Sequence, residues 1–181
     1  MSLRFEQSRL RARLAHLDSQ ARAEFALDCA ERLLPYYRRF HTVTGRGEPQ
    51  VLASALRTVR AQLTGEHEPE DDLKALAERC ANLVPRDDEP AWTILTGLAE
   101  NAAAAVVYAI RAVASTSVDD ALWTALQGYE AADLIATTAL DADFNEPGIE
   151  ERIADEDVVQ RELAAQDESL MRLERNQPEA K

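Results

Sequence analysis

The sequence has little of what most chemical sites are built from. Its 181 residues include two cysteines and three histidines, and no two of them lie at a spacing typical of a zinc site. Glycine occurs six times, and no glycine-rich loop follows a strand-like segment as it does in phosphate-binding loops. The strand-to-helix serine motif of hydrolases is also missing. We therefore predict no catalytic residue, no metal and no cofactor.

Long apolar runs are missing as well. No stretch approaches the roughly 20 uninterrupted apolar residues that a membrane-spanning helix needs. The first residues carry arginines without the apolar core of a signal peptide. Cys29 and Cys80 each lie on an apolar helical stripe, which favours reduced thiols in a core over a disulfide. We therefore expect a cytoplasmic protein of bacterial type with no membrane partner.

Positive charge is scarce and unevenly placed, and the net charge is −13. Residues 1–64 hold 11 basic and 6 acidic side chains, whereas residues 65–140 hold 4 and 14, and residues 141–181 hold 5 and 13. Because an acidic surface repels phosphate backbones, we expect no nucleic-acid partner. Three interpretations of the acidity stay open: a solvated surface that maintains solubility, a face for a basic protein partner, and a surface that mimics a nucleic acid.

The densest acidic group comes late in the chain and could attract a cation. Its members are Glu150, Glu151, Asp155, Glu156 and Asp157. It contains no histidine and faces no second helix with a matching pattern, so a solvated acidic face is favoured over a metal site.

Helical spacing of apolar residues runs along the whole chain, and no stretch alternates with a period of two for long enough to indicate a strand. This pattern predicts an all-α protein, a single-domain bundle of six to seven helices around a central apolar helix at about 90–114. That helix is apolar on most of its faces. The length fits a single domain over residues 1–176 with a frayed tail over 177–181. We expect the helices at about 3–17, 19–44, 49–64, 73–83, 90–114, 118–139 and 149–174.

Residues 31–47, ERLLPYYRRFHTVTGRG, combine a proline, aromatic residues and a Gly-x-Gly. Pro35 lacks the amide hydrogen that would pair with the carbonyl four residues earlier, so we expect the helix to kink or restart there. Phe40 continues the apolar stripe. Gly45 and Gly47 end the helix, since glycine adopts a positive φ without steric cost. We therefore predict a structural role for these four residues.

One acidic residue, Glu100, lies within the most apolar helix. A buried carboxylate must be paired or have a raised pKa, so we expect a salt bridge or hydrogen bond to Arg32 or to another N-terminal arginine. The alternative is a functional carboxylate. It would line a pocket between the second and fifth helices together with Glu31, Arg32 and Tyr37.

The same segment has a recognisable spacing, Glu31-Arg32-x-x-Pro35-x-Tyr37-x-x-Phe40-x-x-x-Thr44-Gly45-x-Gly47. This spacing resembles that of the YjaG-like family of bacterial proteins, defined by domain of unknown function 416. Glu100 and the pattern Asn145-x-x-x-Ile149-x-Glu151 extend the similarity over most of the chain. The resemblance implies a compact, entirely helical fold and brings no established activity. Where relatives carry an aromatic- and glutamine-bearing last helix, this chain has RIADED at 152–157, so we expect the contacts of that helix to differ.

Two kinds of function are compatible with these residues. The absent catalytic motifs and the segregated charge favour a non-enzymatic cytoplasmic protein that acts through protein–protein contacts, for example an acidic antagonist or immunity-type protein that covers a basic toxin. The positive first third and the negative remainder also permit self-association. The alternative is an enzyme or small-molecule binder that uses a pocket formed by Glu31, Arg32, Tyr37 and Glu100.

Overall fold

The computed structural model describes residues 2–66, 68–85, 93–115 and 117–177. Within these ranges the chain forms eight α-helices and no β-strand, which confirms the all-α prediction. Pro90 and Trp92 of the predicted fifth helix, and residues 178–181 of the predicted tail, lie outside the described residues. The helices are α1 (Gln7–His16), α2 (Ser19–Thr44), α3 (Pro49–Leu63), α4 (Glu70–Ala81), α5 (Ile94–Ala114), α6 (Val118–Leu140), α7 (Ile149–Asp155) and α8 (Asp157–Asn176).

Helix α5 is the centre of the fold, as its composition predicted. It packs against α2, α3, α4 and α6, and the small side chains of its alanines let these helices approach closely. Among the described residues, α5 is also the helix long and apolar enough to cross a membrane. However, 61% of its apolar window is buried inside the fold, as in the core helix of a globular protein. Its fully buried alanines are Ala99, Ala102, Ala103, Ala105 and Ala109.

Helix α2 runs without interruption from Ser19 to Thr44, so the restart considered at Pro35 does not occur. Pro35 lies on the exposed side of the helix, whereas its neighbours Leu34 and Tyr37 are buried. The burial of these large side chains outweighs the loss of a single backbone hydrogen bond. The helix therefore continues through the proline.

The turn after α2 has the backbone that its two glycines predict. Gly45 adopts φ +70° and donates its N–H to the carbonyl of His41 at 2.8 Å. Gly47 adopts φ +74° and lies against the ring of Tyr37. A Cβ added to Gly47 would come within 2.5 Å of the Tyr37 hydroxyl oxygen. Glycine is therefore required at position 47 both by the backbone conformation and by the lack of space.

The predicted last helix is in fact two helices. Helix α7 ends at Asp155, Glu156 is extended with φ −62° and ψ 140°, and α8 begins at Asp157. A continuous helix would place Glu156 and Asp157 on the stripe that follows Ile153, because helical neighbours lie three and four residues apart. The break instead brings Val159 into the apolar cluster that Ile153 forms with α6. Burial of carboxylates is thereby avoided.

The first helix starts later than predicted, at Gln7. Residues 2–5, which we call the N-terminal arm, are not helical and contact the junction of α7 and α8. Leu3, which falls within the predicted first helix, is 38% exposed. The buried residues of α1 are Leu10 and Leu14.

Candidate functional site

The predicted candidate Arg32 forms an ion pair with Glu162 of α8. Its Nε and Nη2 atoms donate to the two carboxylate oxygens at 3.2 and 2.9 Å. Its Nη1 donates to the carbonyl of Asp28 at 3.2 Å, and Nη2 also lies 3.4 Å from the sulfur of Cys29. The side chains of Arg32 and Glu162 are only 29% and 14% exposed. A two-point pair of this kind has a defined geometry and joins α2 to α8.

Two residues hold the carboxylate of Glu162 in this position. Gln166, one turn later on α8, donates its side-chain amide to Glu162 Oε1 and to the carbonyl of Ala125, each at 2.9 Å. Gly128 of α6 leaves room for the carboxylate, since a Cβ there would come within 2.5 Å of Glu162 Oε1. An isolated glycine inside a helical pattern usually has a packing reason. Besides Arg32, it is a sequence signal that could have pointed to this site.

A groove of about 390 Å³ opens beside the ion pair, between α2, α6 and α8. Its polar lining groups are Arg32, Tyr36, Arg161 and Glu162. Burial, followed by the charge of Glu162, raises the pKa of Tyr36 above its usual value, so the phenol is protonated at neutral pH. These groups could bind an anionic group attached to an apolar body. The apolar and small lining residues are Leu33, Gly128, Ala131, Ala132, Val158 and Ala165.

The two cysteines are free and buried, as the apolar stripes predicted. Burial raises the pKa of the Cys29 thiol to about 12 and that of Cys80 to about 11. Since the thiolate is the reactive form of cysteine, neither thiol provides a nucleophile at neutral pH. The sulfur of Cys29 instead contacts the guanidinium of Arg32, at 3.4 Å from Nη2.

Glu31, although adjacent to Arg32 in sequence, takes a different partner. Both of its carboxylate oxygens accept from Nη2 of Arg60 in α3 at 2.6 Å. The Arg60 and Glu31 side chains are 57% and 39% exposed, and exposed pairs of this kind contribute little to stability. Glu31 therefore supports the α2–α3 contact, whereas Arg32 supports the α2–α8 contact.

The other two predicted candidates lie elsewhere in the fold. Tyr37 is fully buried, and its hydroxyl donates to the carbonyl of Leu83 at 2.9 Å, which connects α2 to the residues after α4. Glu100 is half-buried in α5. The groove beside α8 thus contains Arg32 among the four candidates, while Glu31, Tyr37 and Glu100 do not line it. It lies between α2, α6 and α8 rather than between α2 and α5.

A second surface feature is the acidic segment, which we define as residues 141–157. It carries eight acidic side chains and one basic side chain. Glu146 accepts from Arg152 at 2.6 Å, and Asp155 accepts from Arg4 at 2.7 Å. Phe144, within this segment, is 66% exposed. No group of three or more metal-ligating side chains forms in the part of the chain that the structure describes.

Several basic residues of the first third form ion pairs with acidic residues of the same chain. Four of the arginines in α1, α2 and the N-terminal arm bond to acidic residues after position 118, so the two oppositely charged parts of the sequence meet in the fold. The carboxylates of the acidic segment mostly face solvent. The pairs are Arg4–Asp155, Arg11–Asp119, Arg13–Asp167, Arg13–Glu174 and Arg32–Glu162.

Comparison with known proteins identifies the family. A family model described as "Protein of unknown function (DUF416)" matches residues 9–181. The chain belongs to the DUF416 family. This DUF416 protein also resembles the crystal structure of a DUF416 family protein from Shewanella baltica OS155, with a TM-score of 0.79 and 21% sequence identity over 92% of this chain and 84% of that chain. No curated protein matches the chain.

Family membership confirms the resemblance seen in the sequence, and the shared fold is that of a helical protein. The matched residues of this DUF416 protein include the Arg32–Glu162 pair and Gly128, whereas the N-terminal arm precedes them. The family is one of unknown function, so functional assignment rests on the surfaces of this chain.

Proposed function

We propose that this DUF416 protein is a non-enzymatic protein of the cytoplasm that binds a basic protein partner through the acidic segment. The observation that carries the proposal is the 66% exposure of Phe144 among the carboxylates of that segment. Aromatic side chains anchor many protein interfaces, and surrounding charges set the partner and the association rate. An antagonist that covers a basic protein is one concrete form of this function. The two free buried thiols support a reducing compartment.

The distribution of ion pairs supports this surface over the basic first third. Arg4, Arg11, Arg13 and Arg32 are all engaged within the chain, so these four cations are less available to attract a second copy. In the acidic segment only one arginine is present to offset eight acidic groups. The negative electrostatic potential of the acidic segment therefore attracts a cationic protein surface.

The experiment compares immobilised full-length protein with the variant Phe144→Ala in the capture of partners from a lysate of cells that carry the gene. We expect the wild type to retain a stoichiometric basic protein, and Phe144→Ala to retain it at least about tenfold less well. Retention should also fall at high salt, because long-range attraction is screened. Val43→Ala is the matched control, since Val43 is another exposed apolar residue, 64% exposed, on α2.

Two outcomes would overturn the proposal. One is the absence of any stoichiometric partner that contains a basic surface. The other is equal retention of the partner by Phe144→Ala and by Val43→Ala, which would show that the acidic segment is not the contact surface. Glu150→Gln combined with Glu151→Gln provides a separate charge test, because it lowers the negative charge of the acidic segment without removing the Phe144 ring.

The groove beside α8 favours a second candidate function, a binder of small organic anions. Tyr36 and Arg161 line the groove above its apolar floor, and a guanidinium is suited to a carboxylate or a phosphate. Titration with a set of small carboxylates should then raise the melting temperature of the wild type. It should raise that of Arg161→Gln much less, while Arg175→Gln, which changes an exposed arginine outside the groove, should behave as the wild type does.

A further inference from the structure

The N-terminal arm is held by α8 in the way that receptors hold extended peptides. The side-chain amide of Gln160 pairs with both backbone groups of Leu3: Oε1 accepts from the N–H at 2.8 Å, and Nε2 donates to the carbonyl at 3.0 Å. Nε2 also donates to the carbonyl of Ala154 at 2.6 Å, at the end of α7. The side-chain amide of Gln160 therefore binds both the carbonyl of Ala154, next to the helix break, and the backbone of the arm.

The side chains of three arm residues make the other contacts. Ser2 and Arg4 both donate to Asp155 Oδ1, at 2.6 and 2.7 Å. Phe5 stacks on Tyr129 of α6, with ring centroids 4.7 Å apart and an angle of 13° between the planes. Backbone hydrogen bonds combined with side-chain contacts of this kind are characteristic of the recognition of an extended segment.

The arm lies on the surface and is weakly packed, so another segment could replace it. The Arg4 and Asp155 side chains are 40% and 55% exposed, and exposed ion pairs contribute little. A surface cleft of about 100 Å³ also remains between the arm, α1 and α8. Chain ends held in this way detach and return on fast timescales.

The residues that contact the arm lie inside the region matched by the family model, whereas the arm itself lies outside it. Tyr129, Asp155 and Gln160 lie within the matched residues 9–181, whereas the arm precedes them. The groups that contact the arm thus lie within the matched part of the chain.

We infer that Tyr129, Asp155 and Gln160 form a receptor for an extended peptide with an adjacent arginine and aromatic residue, and that the chain's own arm fills this receptor in cis. Asp155 selects the arginine, Tyr129 selects the aromatic ring, and Gln160 binds the backbone between them. The receptor shares Asp155 with the acidic segment, but it takes a different ligand and does not require Phe144.

The test uses a fluorescently labelled peptide with the sequence of residues 2–7, Ser-Leu-Arg-Phe-Glu-Gln, and full-length protein. The variant Arg4→Ala/Phe5→Ala loosens the arm, and we expect it to bind the peptide in fluorescence anisotropy. The wild type should bind at least about tenfold more weakly, because its tethered arm competes at an effective concentration on the order of millimolar. Adding Gln160→Ala to the loosened variant should abolish binding, while adding Gln127→Ala, a glutamine of α6 without contact to the arm, should not.

A peptide in which arginine is replaced by alanine should bind the loosened variant at least about tenfold less well, since it lacks the partner of Asp155. The inference is overturned if the folded loosened variant shows no saturable binding, if a scrambled peptide binds equally well, or if Gln160→Ala leaves binding unchanged. Should the double variant unfold, Arg4→Ala alone replaces it, with the same outcomes. Phe144→Ala should leave peptide binding unaltered, so failure of the proposed partner surface and failure of this receptor are distinguishable.

Discussion

The guanidinium of Arg32 and the carboxylate of Glu162 meet through two hydrogen bonds, of 2.9 and 3.2 Å, across the interface of α2 and α8. The pair is less than one-third exposed on either side, and Gly128 provides the space in which the carboxylate lies. It borders the groove and joins two helices that are distant in sequence. Its stability and its dependence on Gly128 can both be measured.

Removal of the carboxylate should destabilise the fold. In Glu162→Ala, Arg32 loses its ion-pair partner while remaining mostly buried, and Gln166 loses one of its two acceptors. We expect a loss of roughly 1–3 kcal/mol in the free energy of unfolding, between the values for exposed and for fully buried pairs. Urea denaturation measures it. Glu70→Ala is the control, because Glu70 pairs with Lys74 on the exposed face of α4 and its removal should change stability little.

A methyl group at position 128 should have opposite effects in two backgrounds. In the wild type, Gly128→Ala forces the tethered carboxylate of Glu162 to move, and we expect it to lower the free energy of unfolding by about 1–2 kcal/mol. In the Glu162→Ala background the same substitution should raise stability by up to about 1 kcal/mol, since alanine is the better helix former. A double-mutant cycle by urea denaturation compares the two. Equal effects in both backgrounds would contradict the steric explanation.

The glycines after α2 provide a matched pair. Gly45 and Gly47 both adopt a positive φ, but a Cβ at Gly45 meets no atom within 4 Å, whereas one at Gly47 meets the buried ring of Tyr37. We expect Gly45→Ala to cost about 1–2 kcal/mol through backbone strain. Gly47→Ala should cost about 1–3 kcal/mol more through the steric clash. Similar unfolding midpoints for the two variants would show that the contact with Tyr37 is readily relieved.

Attachment of the N-terminal arm should depend on pH. The hydrogen bond from Ser2, and then the hydrogen bond and charge of Arg4, hold the pKa of Asp155 below its usual range. A carboxyl group whose pKa is lowered by folding stabilises the folded contact above its unfolded pKa, about 3.9 for aspartate, and this stabilisation is lost as the pH falls through the lower folded pKa. We therefore expect the arm to detach below about pH 4, observed as loss of the Phe5–Tyr129 ring contact by NMR. Asp155→Asn should remove this pH step, and an arm that stays docked in the wild type through the whole titration would contradict it.

The cysteines should be unreactive in the folded protein. Burial raises the pKa of Cys29 to about 12 and that of Cys80 to about 11, so both are thiols near pH 8. We expect iodoacetamide to modify neither residue in the native chain and both in urea, as measured by mass spectrometry. Modification of the native chain at a rate close to that of the unfolded chain would contradict their burial.

Much of the fold could be predicted from local signals. Asp18 and Ser117, which each come just before an apolar helical stripe, cap α2 and α6 through their side chains. The apolar composition of α5 predicted its central place. The break at Glu156 was missed because a few acidic residues in sequence are compatible with a continuous exposed helix. The break is decided by tertiary packing, because it places Val159 rather than these acidic residues against α6.

The candidate residues were harder to place. Glu31 and Arg32 are neighbours in sequence, yet adjacent residues of a helix point about 100° apart, and they bond to α3 and α8 respectively. Glu162 was one acidic residue among many in an acidic helix, with no local feature to distinguish it. The role of Gln160 depends on the position of the N-terminal arm, which no local pattern specified.

Local capping, backbone preference and the period of apolar residues were sufficient to predict the helical class, most helix limits and the central position of α5. Tertiary structure alone decided which charged residues meet. Ion pairs such as Arg13–Glu174 and Arg32–Glu162 join residues that are far apart in the chain, and the choice of partner follows from helix packing rather than from local spacing. Through this packing, arginines of the basic first third form ion pairs with acidic residues late in the chain. Phe144 in the acidic segment remains exposed to solvent.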